Sequence, residues 1–170
     1  MLHHLTMNTL AGPFTVVVSD QGAVRASGFT AEVDELLALV HSDLQEETQP
    51  AVDIGEVGDA VRSYFDGDLT ALDAVRVEQR TGGDFMGHAW DVMREIKPGA
   101  PVTYAQFAEL AGRPSAIRAA AAACARNAAA LFAPCHRVLR SDGSLGGYRW
   151  GLPVKRFLLD HESDNDHAGD

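Results

Sequence analysis

The sequence predicts an α/β fold of the α+β type: a small N-terminal antiparallel sheet with helices, followed by a mostly helical C-terminal domain containing a helix-turn-helix. Three observations lead there. Residues 14–18 and 23–29 are rich in β-branched and apolar residues on either side of Asp20-Gln21-Gly22, the pattern of a hairpin. Apolar residues then recur at helical spacing. After Gly82-Gly83 the apolar patterning is mainly helical, so the glycine pair divides an N-terminal structural domain, residues 1–82, from a C-terminal domain, residues 83–170.

The elements follow in order. Val33, Leu36, Leu37 and Val40 make one amphipathic helix, and Val57, Ala60, Val61, Tyr64 and Phe65 a second, stopped at Asp66-Gly67. Between them, residues 42–55 are polar, acidic and aperiodic, which predicts an exposed loop, and residues 70–77 offer a further strand. Past the glycine pair, Phe85, Ala89, Trp90, Met93 and Ile96 form a helix ended by Lys97-Pro98-Gly99. Thr103 is placed to cap a helix over residues 104–111, with Gly112 at its end. Ser115 is placed to cap the next, which runs through Ile117, Arg118 and a run of alanines to Arg126, with Asn127 as its stop. A last helix carries Val154, Phe157, Leu158 and His161 on one stripe, with Glu162 at the edge of that stripe.

Composition bounds the class. An apolar content of 46% over 170 residues suffices for a packed core. No apolar run is long enough to cross a bilayer, and the N-terminus lacks a signal-like segment, so the expected location is the cytoplasm. The two cysteines, Cys124 and Cys135, make neither a disulfide framework nor a zinc-ligand set. No metal and no cofactor is expected.

A net charge of -10 argues against nucleic acid until it is divided. Residues 1–80 hold 14 acids and 4 bases, whereas residues 111–160 hold 2 acids and 8 bases. Arg113, Arg118, Arg126, Arg137, Arg140, Arg149, Lys155 and Arg156 form a basic zone in one half of the chain. Phosphate neutralisation needs such a zone, and the acidic half would face away from DNA.

The chemistry is carried by Pro134-Cys135-His136-Arg137-Val138. Thiolate is the reactive form of cysteine, and a histidine or a nearby positive charge raises its share at neutral pH. A Cys-His dipeptide alone is also compatible with ordinary packing. Pro134 fixes its own φ and biases Ala133 to an extended shape, holding the turn that presents the thiol.

From Thr103 to Glu162 the chain resembles the O6-alkylguanine-DNA alkyltransferases. The landmarks Tyr104, Arg118, Asn127, Pro134-Cys135-His136-Arg137-Val138, Gly147-Tyr148, Lys155 and His161-Glu162 occur in unbroken order. Residues 137–143 and 147–151 look most like the C-terminal half of the bacterial adaptive-response methyltransferase. The resemblance implies direct-reversal DNA repair, in which an alkyl group, chiefly methyl, passes from O6 of guanine, and from O4 of thymine in some substrates, to Cys135 in a single turnover. The partner it implies is double-stranded DNA containing the lesion, with no membrane, no obligatory protein partner and a monomeric protein.

Residue roles come with the resemblance. Cys135 is the acceptor, His136 its base through a water, and Glu162 the partner of His136. Asn127 bridges the recognition helix and the active-site turn. Arg118 fills the base stack when the nucleotide rotates out, a step needed because an O6 alkyl group lies inside the duplex. Tyr104 assists rotation and hydrogen-bonds the flipped base. Ala119 and Arg137 join Arg118 in contacting DNA, while Val138, Tyr148, Arg149 and Trp150 line the substrate site with Tyr104. Cys124 faces the same region, and His161 is a packed residue.

Residues 83–88 depart from the glutamine-bearing segment usual in the family, and Arg149-Trp150 stands where many relatives have small residues. Trp150 is therefore expected to narrow the pocket, favouring methyl over benzyl groups. Other classes are a non-catalytic lesion-binding protein, a cysteine hydrolase and a simple helix-turn-helix regulator. The first lacks the cysteine of this motif, the second turns over repeatedly, and the third leaves Pro134-Cys135-His136-Arg137 unexplained.

Overall fold

The computed structural model describes residues 1–166, and these divide into two compact units: Met1–Arg80 with Ala128–Phe132, and Thr81–Asn127 with the chain from Ala133 onward. The expected division assigned all of residues 83–170 to the second domain. Ala128–Phe132 instead packs with the first unit, because Ser27 takes it as a pairing partner: Ser27 N–H donates to Ala128 O at 2.9 Å and Ser27 Oγ to Ala130 O at 2.7 Å.

In the first unit, β1 (Leu2–Thr9), β2 (Gly12–Ser19), β3 (Val24–Gly28) and β4 (Thr48–Pro50) form one sheet in the order β3-β2-β1-β4. Phe14 through Ser19 are all buried, so this central strand is covered on both faces rather than alternating between buried and exposed. The hairpin of β2 and β3 forms as expected. β1 has few β-branched residues, yet it pairs along its whole length with β2, from Leu2 opposite Ser19 to Thr9 opposite Gly12.

Two expectations are corrected here. Part of the loop over residues 42–55 becomes β4, which pairs parallel to β1, so the sheet is mixed rather than antiparallel. Residues 70–77 are mostly turns, and only Val77 bridges to Val24. The helices are α1 (Val33–Leu37) and α2 (Glu56–Phe65), the latter burying Val57, Val61, Tyr64 and Phe65 on one face.

The second unit holds α3 (Asp84–Met93), β5 (Val102–Thr103), α4 (Tyr104–Leu110), α5 (Ile117–Ala125), β6 (Val138–Leu139) and α6 (Leu152–Asp164). Thr103 caps α4 in a full capping box with Gln106. Gly112 turns the chain at φ 87°, a left-handed conformation that favours glycine. Ser115 does not cap α5. Ala116 occupies that position without a side-chain bond, and Ala116 N–H closes the preceding turn on Arg113 O. The buried face of α5 consists of Ala120 and Ala123, and Trp90 Nε1 of α3 donates to Ala123 O at 2.9 Å. Small side chains let the two helices approach closely. β5 and β6 pair parallel, Val102 with Val138 and Thr103 with Leu139, which sets the start of α4 beside the chain just after the Cys-His-Arg run.

Candidate active site

Cys135, His136 and Arg137 form a single 3-10 turn that runs directly into β6. The turn separates the fates of the three side chains. Cys135 is half-buried, whereas His136 and Arg137 are buried. Below them Glu162 projects from α6, its side chain 1% exposed. His136 Nε2 lies 2.7 Å from Glu162 Oε2, and Arg137 donates to the same carboxylate twice, Nε to Oε1 at 2.9 Å and Nη2 to Oε2 at 3.0 Å. Arg137 Nη1 donates to Ile96 O at 2.6 Å.

This arrangement corrects the expectation that Arg137 meets DNA. Its side chain is 6% exposed, and its guanidinium is committed to one buried carboxylate and one carbonyl. A buried carboxylate requires compensation, and bidentate arginine supplies it. Burial would raise the Glu162 carboxyl, but the charges and hydrogen bonds of His136 and Arg137 hold it well below the usual carboxylate range. Burial pushes the His136 imidazole the other way, below its usual range, and Glu162 opposes that only in part. Burial thus favours the neutral imidazole. Because Nε2 carries the proton shared with an ionised carboxylate, Nδ1 holds the free lone pair. Nδ1 is buried and has no hydrogen-bond partner among the described residues.

Burial also raises the Cys135 thiol, against the Asn127 amide, the Lys155 ammonium and the Arg149 guanidinium, which favour thiolate. Asn127 Nδ2 also donates to Ala133 O at 2.7 Å, so one side chain fixes the turn from the end of α5. The bridging role expected for Asn127 has this geometry. Tyr104, half-buried at the start of α4, has its hydroxyl raised by burial and by Cys124 and Cys135. Gly146 allows that ring to sit where it does: at φ 73°, a Cβ there would meet Tyr104 Oη at 3.0 Å. Tyr148 is half-buried, and its hydroxyl is buried without a partner among the described residues. Burial, then Cys135 and Glu162, raise it well above the usual phenol range. Unsatisfied buried polar atoms cost about 1–3 kcal/mol each, so two beside one thiol mark a place where chemistry is expected.

Lys155, part of the basic zone in the sequence, is likewise not a surface cation. It is fully buried, and its ammonium donates to Val138 O at 2.8 Å, Gly147 O at 3.2 Å and Leu145 O. All three ammonium protons are used, which ties the loop before Tyr148 to β6. A lysine in a basic cluster carries no sequence signal of this inward role. Val138, expected to line the substrate site, is fully buried in β6, so its side chain supports the site from within the strand. Arg113, Arg118, Arg126, Arg140, Arg149 and Arg156 remain exposed. Arg118 and Ala119 lie on the exposed face of α5, and Trp150 is half-buried. His161 stacks on Phe157, ring centres 6.0 Å apart. Cys124 is half-buried, its thiol raised by burial and by Cys135. Among the described residues no cluster of His, Cys, Asp or Glu could hold a metal ion, and no helix is long and apolar enough to cross a membrane.

Comparison with known proteins adds to this geometry. A family model described as the DNA-binding domain of 6-O-methylguanine DNA methyltransferase matches residues 84–164. The methylated-DNA–protein-cysteine methyltransferase of Salmonella typhimurium is 35% identical over 158 residues, covering 91% of each chain. This chain belongs to that family. Among the alkyltransferases of solved structure, Mycobacterium tuberculosis OGT in complex with DNA is 27% identical, with a TM-score of 0.80 over 96% of this chain and 94% of its own. The Escherichia coli bifunctional transcriptional activator and DNA repair enzyme Ada is 47% identical over 85 residues, 50% of this chain, but the match spans 24% of Ada's own length. For this methyltransferase, the family likeness joins the turn bearing Cys135 to the helix bearing Arg118 in a DNA-binding unit.

Proposed function

We propose that this methyltransferase repairs DNA by direct reversal, moving the alkyl group of O6-alkylguanine onto Cys135. The observation that carries the reading is the shared carboxylate: Glu162 holds Arg137 and His136 Nε2, which leaves Nδ1 of a neutral imidazole as the only acceptor nitrogen, one residue from the thiol. In the proposed step, His136 Nδ1 takes the Cys135 proton through a water, and the sulfur attacks the alkyl carbon in line. The S–C bond forms as the C–O6 bond breaks, and the electron pair leaves on guanine. Tyr104 passes a proton toward the ring and is reprotonated through solvent while His136 gives up the proton it took, so the proton lost by sulfur is the one gained by the base. The thioether has no hydrolytic exit, and each protein acts once.

The exposed Arg118 and Ala119 support entry of α5 into a groove of DNA, with Arg118 taking the space of the extruded nucleotide. The protein acts on duplex DNA as a monomer without an obligatory protein partner, in the cytoplasm, where Cys135 stays a free thiol. Incubation with an oligonucleotide containing O6-methylguanine is expected to place one methyl group per protein on the peptide bearing Cys135, and none on Cys135→Ser. Repeated turnover would replace this reading with a hydrolase. Lesion binding with an unmodified sulfur would replace it with a non-catalytic lesion receptor.

A further inference from the structure

The C-terminal end of α5 lies beside the nucleophile, and each of its last four carbonyls has a partner. Ala122 O accepts from Arg126 N–H at 2.9 Å, and Ala123 O from Trp90 Nε1 at 2.9 Å. Cys124 O takes a long bond from Asn127 N–H at 3.4 Å, and Ala125 O accepts from Arg149 Nη2 at 2.5 Å. Three of these donors are neutral. Of these four donors only Arg149 is itself charged, and it meets the helix end where the aligned peptide dipoles sum to roughly half a negative charge. That end lies close to the thiol: Asn127, two residues beyond α5, bonds Ala133 O at 2.7 Å and also acts on the Cys135 sulfur, as Cys124 of the last turn does. A negative helix terminus beside a cysteine disfavours thiolate, opposite to the helix N-termini that activate reactive thiols.

We infer that Arg149 is a positioning residue for alkyl transfer: seated on Ala125 O, it cancels the negative end of the recognition helix where that end lies close to Cys135. The other titratable groups around the thiol are Lys155 from α6, Tyr104 from α4, Cys124 from α5, Tyr148 from the loop after β6, and His136 of the same turn. Lys155 and Arg149 are the cations among those that act on the sulfur, and Lys155 spends its ammonium on three loop carbonyls. The side chain of Arg149 has no acidic partner among the described residues and is exposed, so its field is free to act on the thiol but is screened by salt.

The inference rests on Cys135 being the nucleophile, and its test reads the thiol without DNA. Rates of Cys135 carbamidomethylation by iodoacetamide, followed by peptide mass spectrometry across pH, are compared for the wild type, Arg149→Gln and Arg149→Lys. For Arg149→Gln the profile is expected to move to higher pH, with a rate at pH 7 lower by about threefold, the size of a screened exposed charge. The plateau at high pH should be unchanged, and the difference should shrink in 1 M salt. Arg149→Lys, which keeps the charge, should follow the wild type. An unmoved profile in Arg149→Gln overturns the inference, as does Arg149→Lys behaving like Arg149→Gln, which would assign the effect to the shape of the guanidinium rather than its charge. Methyl transfer from DNA is scored separately, so failure here leaves the repair reading standing and failure of repair leaves this result interpretable.

Discussion

Each unit of this molecule buries one arginine against acidic groups, and the two clusters use nearly the same parts. Arg25 in the first unit donates to Leu44 O at 2.6 Å, Glu46 Oε2 at 3.0 Å and Glu78 Oε1 at 3.2 Å. Arg137 in the second donates to Ile96 O at 2.6 Å and to both oxygens of Glu162. The difference lies in the acids. Glu46 and Glu78 are 40% and 36% exposed, while Glu162 is 1% exposed and also holds His136. Where water can reclaim the carboxylates, the arginine is a staple. Where one dry carboxylate must serve an arginine and a histidine together, the cluster orients a base beside a thiol. Ion-pair chemistry alone does not make a site; the third partner and the burial do.

The largest expected effect tests that contrast through stability. Arg137→Met strands a buried carboxylate and should lower the unfolding free energy by about 3–5 kcal/mol, whereas Arg25→Met frees acids that water can solvate and should cost about 1–2 kcal/mol. Urea unfolding of both variants measures the difference, and equal losses would break the comparison. Next in size is activity. Glu162→Gln keeps the shape but removes the charge that orients and polarises His136, and single-turnover methyl transfer should slow by about 10²–10³-fold. Glu46→Gln, the counterpart in the first unit, should transfer at the wild-type rate.

The smallest effect is the pH dependence. Burial raises the Cys135 thiol, so the thiolate share and the transfer rate should climb as pH rises above neutral. Burial lowers His136, so its Nδ1 stays a free acceptor through neutral pH and is lost by protonation only once pH falls below the ordinary histidine range. A single-turnover rate that is flat from neutral to alkaline pH would contradict the raised thiol.

Legibility in the sequence followed the range of the forces involved. α2 through α6 were readable because amphipathic spacing, the Thr103 capping box and the Gly112 turn are local. β1, β4 and the pairing of Ser27 with Ala129 were not, because a strand of Leu, His, Thr, Met and Asn, or two polar residues followed by Pro50, becomes a strand only when a distant edge takes it. The site divides the same way. Cys135 and His136 stand out by residue type, whereas Asn127, Tyr104 and Glu162 are picked out only by the resemblance to the family, and unit two brings them together. Arg137 and Lys155 fall in the basic zone of the sequence but are internal cations in the fold. A long cationic side chain next to apolar residues points inward or outward with equal ease on paper.

By itself, then, the order of residues determined which groups were present for the chemistry: one thiol beside one imidazole, an acid on the last helix, and cations concentrated in one half. Tertiary structure alone decided which of those charges were surface and which were interior, and hence which nitrogen of His136 stays open. Side-chain identity sets what a group can donate or accept, but its protonation and its reach depend on desolvation and on partners far away in sequence. Those exist only once the chain has folded.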